Sequence, residues 1–309
     1  MRIIFCLLSL ILPVILPAAE NWDIFPDAIK TIAIIAPGKP AVKSQVDKVL
    51  KNLQAAGYRV KVMPNARLGE SPAKLKKVPW KLRHSDLMQA WFDPQVDAIW
   101  CMRGGNYAQD LVNRLDYDKL RTRPMIIIGF SNITVLHQAL QKNNVGRVFS
   151  GPSVTSMLRT DAFSRAWFKK ALAGESMPPI QLTALRAGAC SGKAAGGHIT
   201  MLHWAVRDGY AMSTKDRIVF LEANTKGLKI NSSILDKLIA AGYFNECKAV
   251  VFGEFSGMSK GDQLDMFKKF TAKVQCPVYY GYPYGHGTAN CLIDMDRVKS
   301  IDNNAVLRQ

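Results

Sequence analysis

The chain has 309 residues, 48 % of them hydrophobic and 21 % charged, without a low-complexity tract. That profile is globular, large enough for two domains of ordinary size, and it excludes a disordered or fibrous chain. The formal net charge of +17 at pH 7 points to anionic partners.

Met1-Arg2 is followed by "IIFCLLSLILPVI", 13 residues without a charge, and then by the small residues of "LPAAE". This is the layout of a secretory signal peptide over residues 1–19, cut near Ala18 or Ala19. A membrane anchor is disfavoured because the run is short for spanning and Pro13 interrupts it. Cys6 lies at the start of the run, not after it, which argues against a lipoprotein signal. The expected location is periplasmic or secreted. The segment carries a single charge, Arg2, so the mature chain stays strongly basic.

Past it, "TIAIIAPGKP" reads as a buried strand over Thr31 to Ala36 and a turn. Val42, Val46, Val49, Leu50 and Leu53 follow at helical spacing, and Gly57 stops that helix. "YRVKVM" is a second strand. "KLKKVPWKLR" (Lys74 to Arg83) interleaves Trp80 with bases in the manner of a nucleic-acid surface. Export leaves lipid head groups and cell-wall carboxylates as the available anions. The stretch therefore reads as a solvated basic face, and no nucleic-acid partner is expected. "HSDLMQAWF" is helical, and "DAIWCM" and "MIIIGF" are strands three and four. Strands alternating with helices imply crossover units on a mostly parallel sheet.

"GESMPPI", with two consecutive prolines, breaks this rhythm. Residues 20–155 form the expected N-terminal domain, 156–189 a linker region of one helix and a connection, and 190–309 a C-terminal α/β domain. The latter carries the strands "RIVFLE", "KAVVFGEF" and "CPVYYG", with "SSILDKLIAAG" as an amphipathic helix between the first two. Five cysteines remain after cleavage: Cys101, Cys190, Cys247, Cys276 and Cys291. Odd in number and widely spaced, they specify neither a disulfide framework nor a zinc cluster.

The chemistry concentrates where "MIIIGF" meets Ser131-Asn132 and a helix pattern begins. A serine is a poor nucleophile without a base and without donors for the oxyanion. A sharp strand-to-helix turn lifts the hydroxyl from the sheet and turns free N–H groups toward it. Simple N-capping by Ser131 explains the same placement. The α/β-hydrolase elbow is excluded, because Ile133 stands where its second glycine belongs. Gly104-Gly105, between a strand and a helix, lets backbone approach a ligand closely, though no dinucleotide fingerprint is present. Among the histidines, His137 lies on the Ser131 helix but points away from it. His198 and His203 are misaligned for a shared metal, and His84 belongs to the basic stretch. His286 stands alone in "GYPYGHGTAN" after a strand. Glu222 and Glu254 each close an apolar strand, where a carboxylate needs a partner. Periodicity does not separate the two.

Taken in order, "IAIIAPGKP", "DPQVDAIWCMRGGNYAQDLVNRLDYDKL", "IIIGFSNITVLHQAL", "GGHITML", "VFLEAN" and "YPYGHGTAN" resemble the serine LD-carboxypeptidases. That family includes murein tetrapeptide carboxypeptidases and microcin C immunity proteins. The resemblance implies a Rossmann-like N-terminal domain with a mostly parallel sheet and a smaller swivelling-type α/β C-terminal domain. By it, Ser131 is the nucleophile, Glu222 (not Glu254) the orienting acid, His286 the base, and the amides of Gly105 and Asn132 the oxyanion donors. Gly104 and Arg103 are the associated substrate-binding residues. Departures from the family pattern are Asn132 for the usual aspartate, "RGGNYAQ" for Arg-Gly-Gly-Tyr-Gly, Lys226 in place of a second acid, and "SGP" for His-Gly-Pro. They bear on the lining of the cleft more than on the three catalytic side chains.

The expected activity is removal of the terminal D-alanine from peptidoglycan tetrapeptide stems, without a metal or organic cofactor. The expected partners are muropeptides, and a homodimer is allowed but not specified. Two alternatives stand beside it: a microcin-immunity-like hydrolase of peptide–nucleotide amides, and a cell-wall-binding homologue without catalysis.

Overall fold

Five parallel strands form the body of the first sheet: β1 (Thr31–Ile35), β2 (Arg59–Val62), β3 (Ala98–Cys101), β4 (Ile126–Gly129) and β5 (Arg147–Ser150). All are parallel, in the order β5-β4-β3-β1-β2. β1 and β3 are buried at every position, as strands are when helices cover both faces. The helix after β1, Lys43–Ala55, turns Val46, Val49 and Leu53 inward, and Gly57 reverses the chain at φ +88°. The computed structural model describes residues 22–67 and 78–309. The expected signal peptide and the first lysines of the basic stretch lie outside the described residues. Among the described residues no helix is long and apolar enough to cross a membrane.

The second sheet has eight strands: β6 (Ile180–Gln181), β7 (Thr183–Arg186), β8 (Cys190–His198), β9 (Arg217–Ala223), β10 (Ala249–Phe255), β11 (Val278–Tyr280), β13 (Val298–Ile301) and β14 (Val306–Arg308). β8, β9, β10 and β11 run parallel through its middle. β13, β14 and β6 extend one edge antiparallel, and β7 closes the other. β12 (Ile293–Asp294) leaves this sheet and pairs with β5 of the first. Residues 156–189 are more than a linker region: they hold a helix, Ala162–Ala173, and both β6 and β7. Those two strands are two and four residues long, too short for alternation to mark them in sequence.

The core is shared between the lobes. One buried cluster runs from Ile34 and Trp100 through Leu136 to Ala194, Ile218 and Val251 of the second sheet. A second lies under β9 and β10, where Phe252 stacks on Phe267 at 4.0 Å.

Contrary to the expectation of a solvated basic face, the last residue of that stretch is buried. Arg83 is 2 % exposed. Its guanidinium donates to the carbonyls of Pro37 and Tyr107, each at 2.5 Å, to Val78 at 2.9 Å, and to Asp110 at 2.6 Å. It thereby ties the loop after β1 to the loop after β3. Arg83→Met withdraws this buried donor from those carbonyls and from Asp110. Stability is expected to fall by about 3–5 kcal/mol, and the thermal midpoint by about 6 °C or more. Circular-dichroism melting checks this, and a shift under about 2 °C would dismiss the guanidinium as an anchor.

Candidate active site

The carboxyl ends of the parallel strands of both sheets carry the site, where open α/β sheets bind their ligands. β4 stops at Gly129. A methyl group there would lie 3.0 Å from Ile133 Cγ2, so the missing side chain lets the chain fold back. Phe130 is extended, Ser131 takes φ +62°, and a tight turn over Ser131–Ile133 leads into the helix Thr134–Lys142. Left-handed backbone at a serine costs about 1–2 kcal/mol and belongs to positions that the surroundings over-determine. The Ser131 side chain caps neither the turn nor the helix. Capping, open in the sequence, is therefore not what holds it there.

Gly104 and Gly105 come from the loop after β3. A methyl group at Gly104 would sit 2.8 Å from Ser131 Oγ and 3.3 Å from the Asn132 nitrogen. Gly105 is at φ +120°, with Lys39 Cγ 2.7 Å from where its Cβ would be. Only glycines bring this backbone against the serine. Lys39 N–H donates to the Gly104 carbonyl at 3.0 Å, so the loop after β1 fixes it from behind. The Asn132 side chain has a task the sequence does not announce. Its Oδ1 accepts from Ala108 N–H at 2.8 Å, and its Nδ2 donates to Gln109 Oε1 at 3.3 Å and Met201 Sδ at 3.1 Å.

The second sheet supplies the acids and the imidazoles. In the β8–β9 register His198 stands opposite Glu222. Glu222 is fully buried and accepts from His286 Nδ1 at 2.7 Å. Burial pushes its carboxyl up, but the His286 and His198 rings outweigh that and hold it below its ordinary value of 4.5. Glu254, indistinguishable from Glu222 by pattern, accepts the Gly287 backbone N–H instead. One glutamate thus orients the imidazole, and the other anchors the loop that presents it. The His286 ring packs on Phe130 at 4.8 Å and meets the His198 ring edge-on at 5.8 Å.

Arg103, Gly104, Gly105, Ser131, Asn132 and His286 line one cleft of about 610 Å³, with Glu222 behind His286. The structure therefore brings together every site residue singled out in the sequence. Lys39 and Arg159 add two cations to the wall, and among the described residues that line it there is no carboxylate. His198, with Nε2 3.0 Å from Asn224 Oδ1, also belongs to this cleft. The sequence carries it in "GGHITML" of the family resemblance without giving it a role. His137 is a core residue, 1 % exposed, whose pKa burial pushes down to about 3.

A serine at φ +62° beside a glycine-lined backbone shares its cleft with an imidazole paired with a buried carboxylate, side chains of the kind a serine hydrolase uses, on a two-lobed α/β frame. Residues 32–151 match the LD-carboxypeptidase N-terminal domain, and residues 191–298 match the LD-carboxypeptidase C-terminal domain. The chain belongs to the LD-carboxypeptidase family of peptidases. It is 24 % identical over 278 residues to a murein tetrapeptide carboxypeptidase of Pseudomonas aeruginosa, covering 84 % of this chain and 89 % of that one. The crystal structure of muramoyltetrapeptide carboxypeptidase from Oxalobacter formigenes superposes with a TM-score of 0.78 at 23 % identity, over 90 % of this chain and 97 % of that one. The microcin C7 self-immunity protein MccF in its wild-type apo state gives 0.79 at 18 % identity, over 94 % and 96 %.

Proposed function

We propose that the protein is an exported serine LD-carboxypeptidase that removes the terminal D-alanine from peptidoglycan tetrapeptide stems, cutting the bond to an L-centred diamino acid. The observation that carries this is the His286–Glu222 pair at 2.7 Å, in the same cleft as a serine held at φ +62°. In the reaction His286 takes the Ser131 proton as the hydroxyl attacks the scissile carbonyl. Glu222 stabilises the imidazolium, and the amides of Gly105 and Asn132 receive the oxyanion. His286 then protonates the leaving D-alanine amine. Water, deprotonated by the same imidazole, hydrolyses the acyl-enzyme. Arg103, with Lys39 and Arg159 on the same wall, gives the free carboxylates of a stem peptide a cationic seat.

Purified protein given a disaccharide tetrapeptide is expected to release D-alanine, read by mass spectrometry. Export rests on the N-terminal apolar run and is checked by sequencing the mature N-terminus. The microcin-immunity alternative is favoured by one feature, Trp204 on the cleft wall, a flat ring suited to stack on a base. Cleavage of an aminoacyl sulfamoyl adenosine, with the muropeptide untouched, would select it. Muropeptide binding without release would select the non-catalytic reading.

Glu254 provides a further check as a positioning residue. Glu254→Ala frees the Gly287 N–H and the His286 loop, and kcat is expected to fall about 10–100-fold with KM nearly unchanged. Glu254→Gln, whose amide oxygen still accepts, is expected to recover most of the loss. Equal losses in both variants would remove the carbonyl-type acceptor from the role.

A further inference from the structure

Cys247 stands just ahead of β10 and Cys276 just ahead of β11, two strands paired in parallel with Val250 opposite Val278. Their sulfurs are 3.5 Å apart although 29 positions separate them in sequence. A disulfide needs about 2.05 Å, so the gap to close is within reach of a side-chain rotation. Cys276 is partly exposed and Cys247 buried behind it, which gives an external reagent one sulfur to attack first. The hydrogen bond from Cys247 and, more weakly, the nearby Arg186 guanidinium lower the Cys276 thiol from its ordinary value, against the effect of burial. The same hydrogen bond and burial raise Cys247. The difference in exposure sets the division of labour between an attacking Cys276 and a resolving Cys247. Cys190 feels Cys276 and is felt by Cys247 electrostatically, but among the hydrogen bonds of the described residues none joins its sulfur to either.

We infer that Cys247 and Cys276 form a disulfide when the protein meets an oxidising compartment, stapling the amino ends of β10 and β11. The Cys276 thiolate attacks one sulfur of an external disulfide, such as an oxidised dithiol protein or oxidised glutathione, and expels the other as a thiolate. Cys247, losing its proton, then attacks Cys276 Sγ of the mixed disulfide and expels the second thiolate. Two protein thiols are oxidised, one external disulfide is reduced to two thiols, and two electrons pass between them. Glu222 and Glu254 sit toward the opposite, carboxyl ends of β9 and β10. The bond therefore closes the loop containing the helix Lys260–Thr271 without reaching the cleft.

The test uses the full chain, reduced and then equilibrated with oxidised and reduced glutathione. A mass loss of about 2 Da and a linked peptide joining Cys247 to Cys276 are expected. The thermal midpoint is expected to rise by about 6–12 °C over the reduced protein. Cys276→Ser should abolish both changes, and Cys190→Ser should leave both intact. Alkylation of both Cys247 and Cys276 at equilibrium, stable glutathione adducts on either, or a link through Cys190 would overturn the pairing. An unchanged midpoint in linked protein would overturn the staple. None of these readouts depends on peptidase activity, so they stand or fall apart from the proposed reaction.

Discussion

Ser131→Ala is expected to lower D-alanine release by about 10⁴-fold or more, while muropeptide affinity changes little. The alanine removes Oγ alone, and the Gly104 backbone, the Asn132 amide and the cationic wall remain in place to bind the peptide. The backbone at 131 allows a second, opposing readout. At φ +62° neither serine nor alanine is at ease, whereas glycine adopts that conformation freely. Ser131→Gly should therefore be as inactive as Ser131→Ala yet equal to the parent in stability, or higher by up to ~1 kcal/mol. Inactivity together with undiminished stability is the signature of strain kept for chemistry. Retention of even a tenth of the parent rate by either variant, at about the parent substrate affinity, would reduce Ser131 to a turn residue.

Glu222→Gln is the second large effect. The amide keeps the size of the side chain and leaves an acceptor for His286 Nδ1, but it withdraws the charge opposite a developing imidazolium. An expected fall of about 10²–10⁴-fold in kcat follows, with KM nearly unchanged. A pH experiment isolates the charge. Because the folded-state pKa lies below the ordinary 4.5, the ionised carboxyl stabilises the fold above that value. This contribution is lost as pH falls through the depressed folded-state pKa. The thermal midpoint of the parent minus that of Glu222→Gln should hold steady near pH 7, narrow below about pH 4.5, and level off in stronger acid. A gap independent of pH would mean that position 222 carries no charge in the folded protein.

Much of this was legible in the chain because the relevant physics is local. β1, β3, β9 and β10 are largely apolar runs, and the helix over 134–142 buries Leu136 and Leu140 on one face. The turn at Ser131 needed only a strand end, a small residue and a helix start. The exclusion of His137 followed from helical geometry. What stayed hidden depends on partners distant in sequence. Arg83 looked solvated because Pro37, Tyr107 and Asp110 lie on other segments, distant in sequence. His198 acquires its meaning from the β8–β9 register, which no single segment encodes. The two glutamates part company in which atom of the "YGHG" loop each one meets. The stretch before β1 shows no periodicity at all, yet Phe25 sits edge-on to Tyr58, Trp100 and Phe168.

The excursion of β12 has a mechanical meaning. After β11 the polypeptide crosses to hydrogen-bond with β5, where Arg147 also clasps Asp294 at 2.5 Å, and only then returns as β13. Two lobes joined by one strand of chain can swing, but these are laced together by an out-and-back stitch over a common apolar floor. Opening them like a book would mean unpicking that stitch. The placement of the Ser131 lobe against the His286 lobe is therefore fixed at folding and does not rest on a hinge.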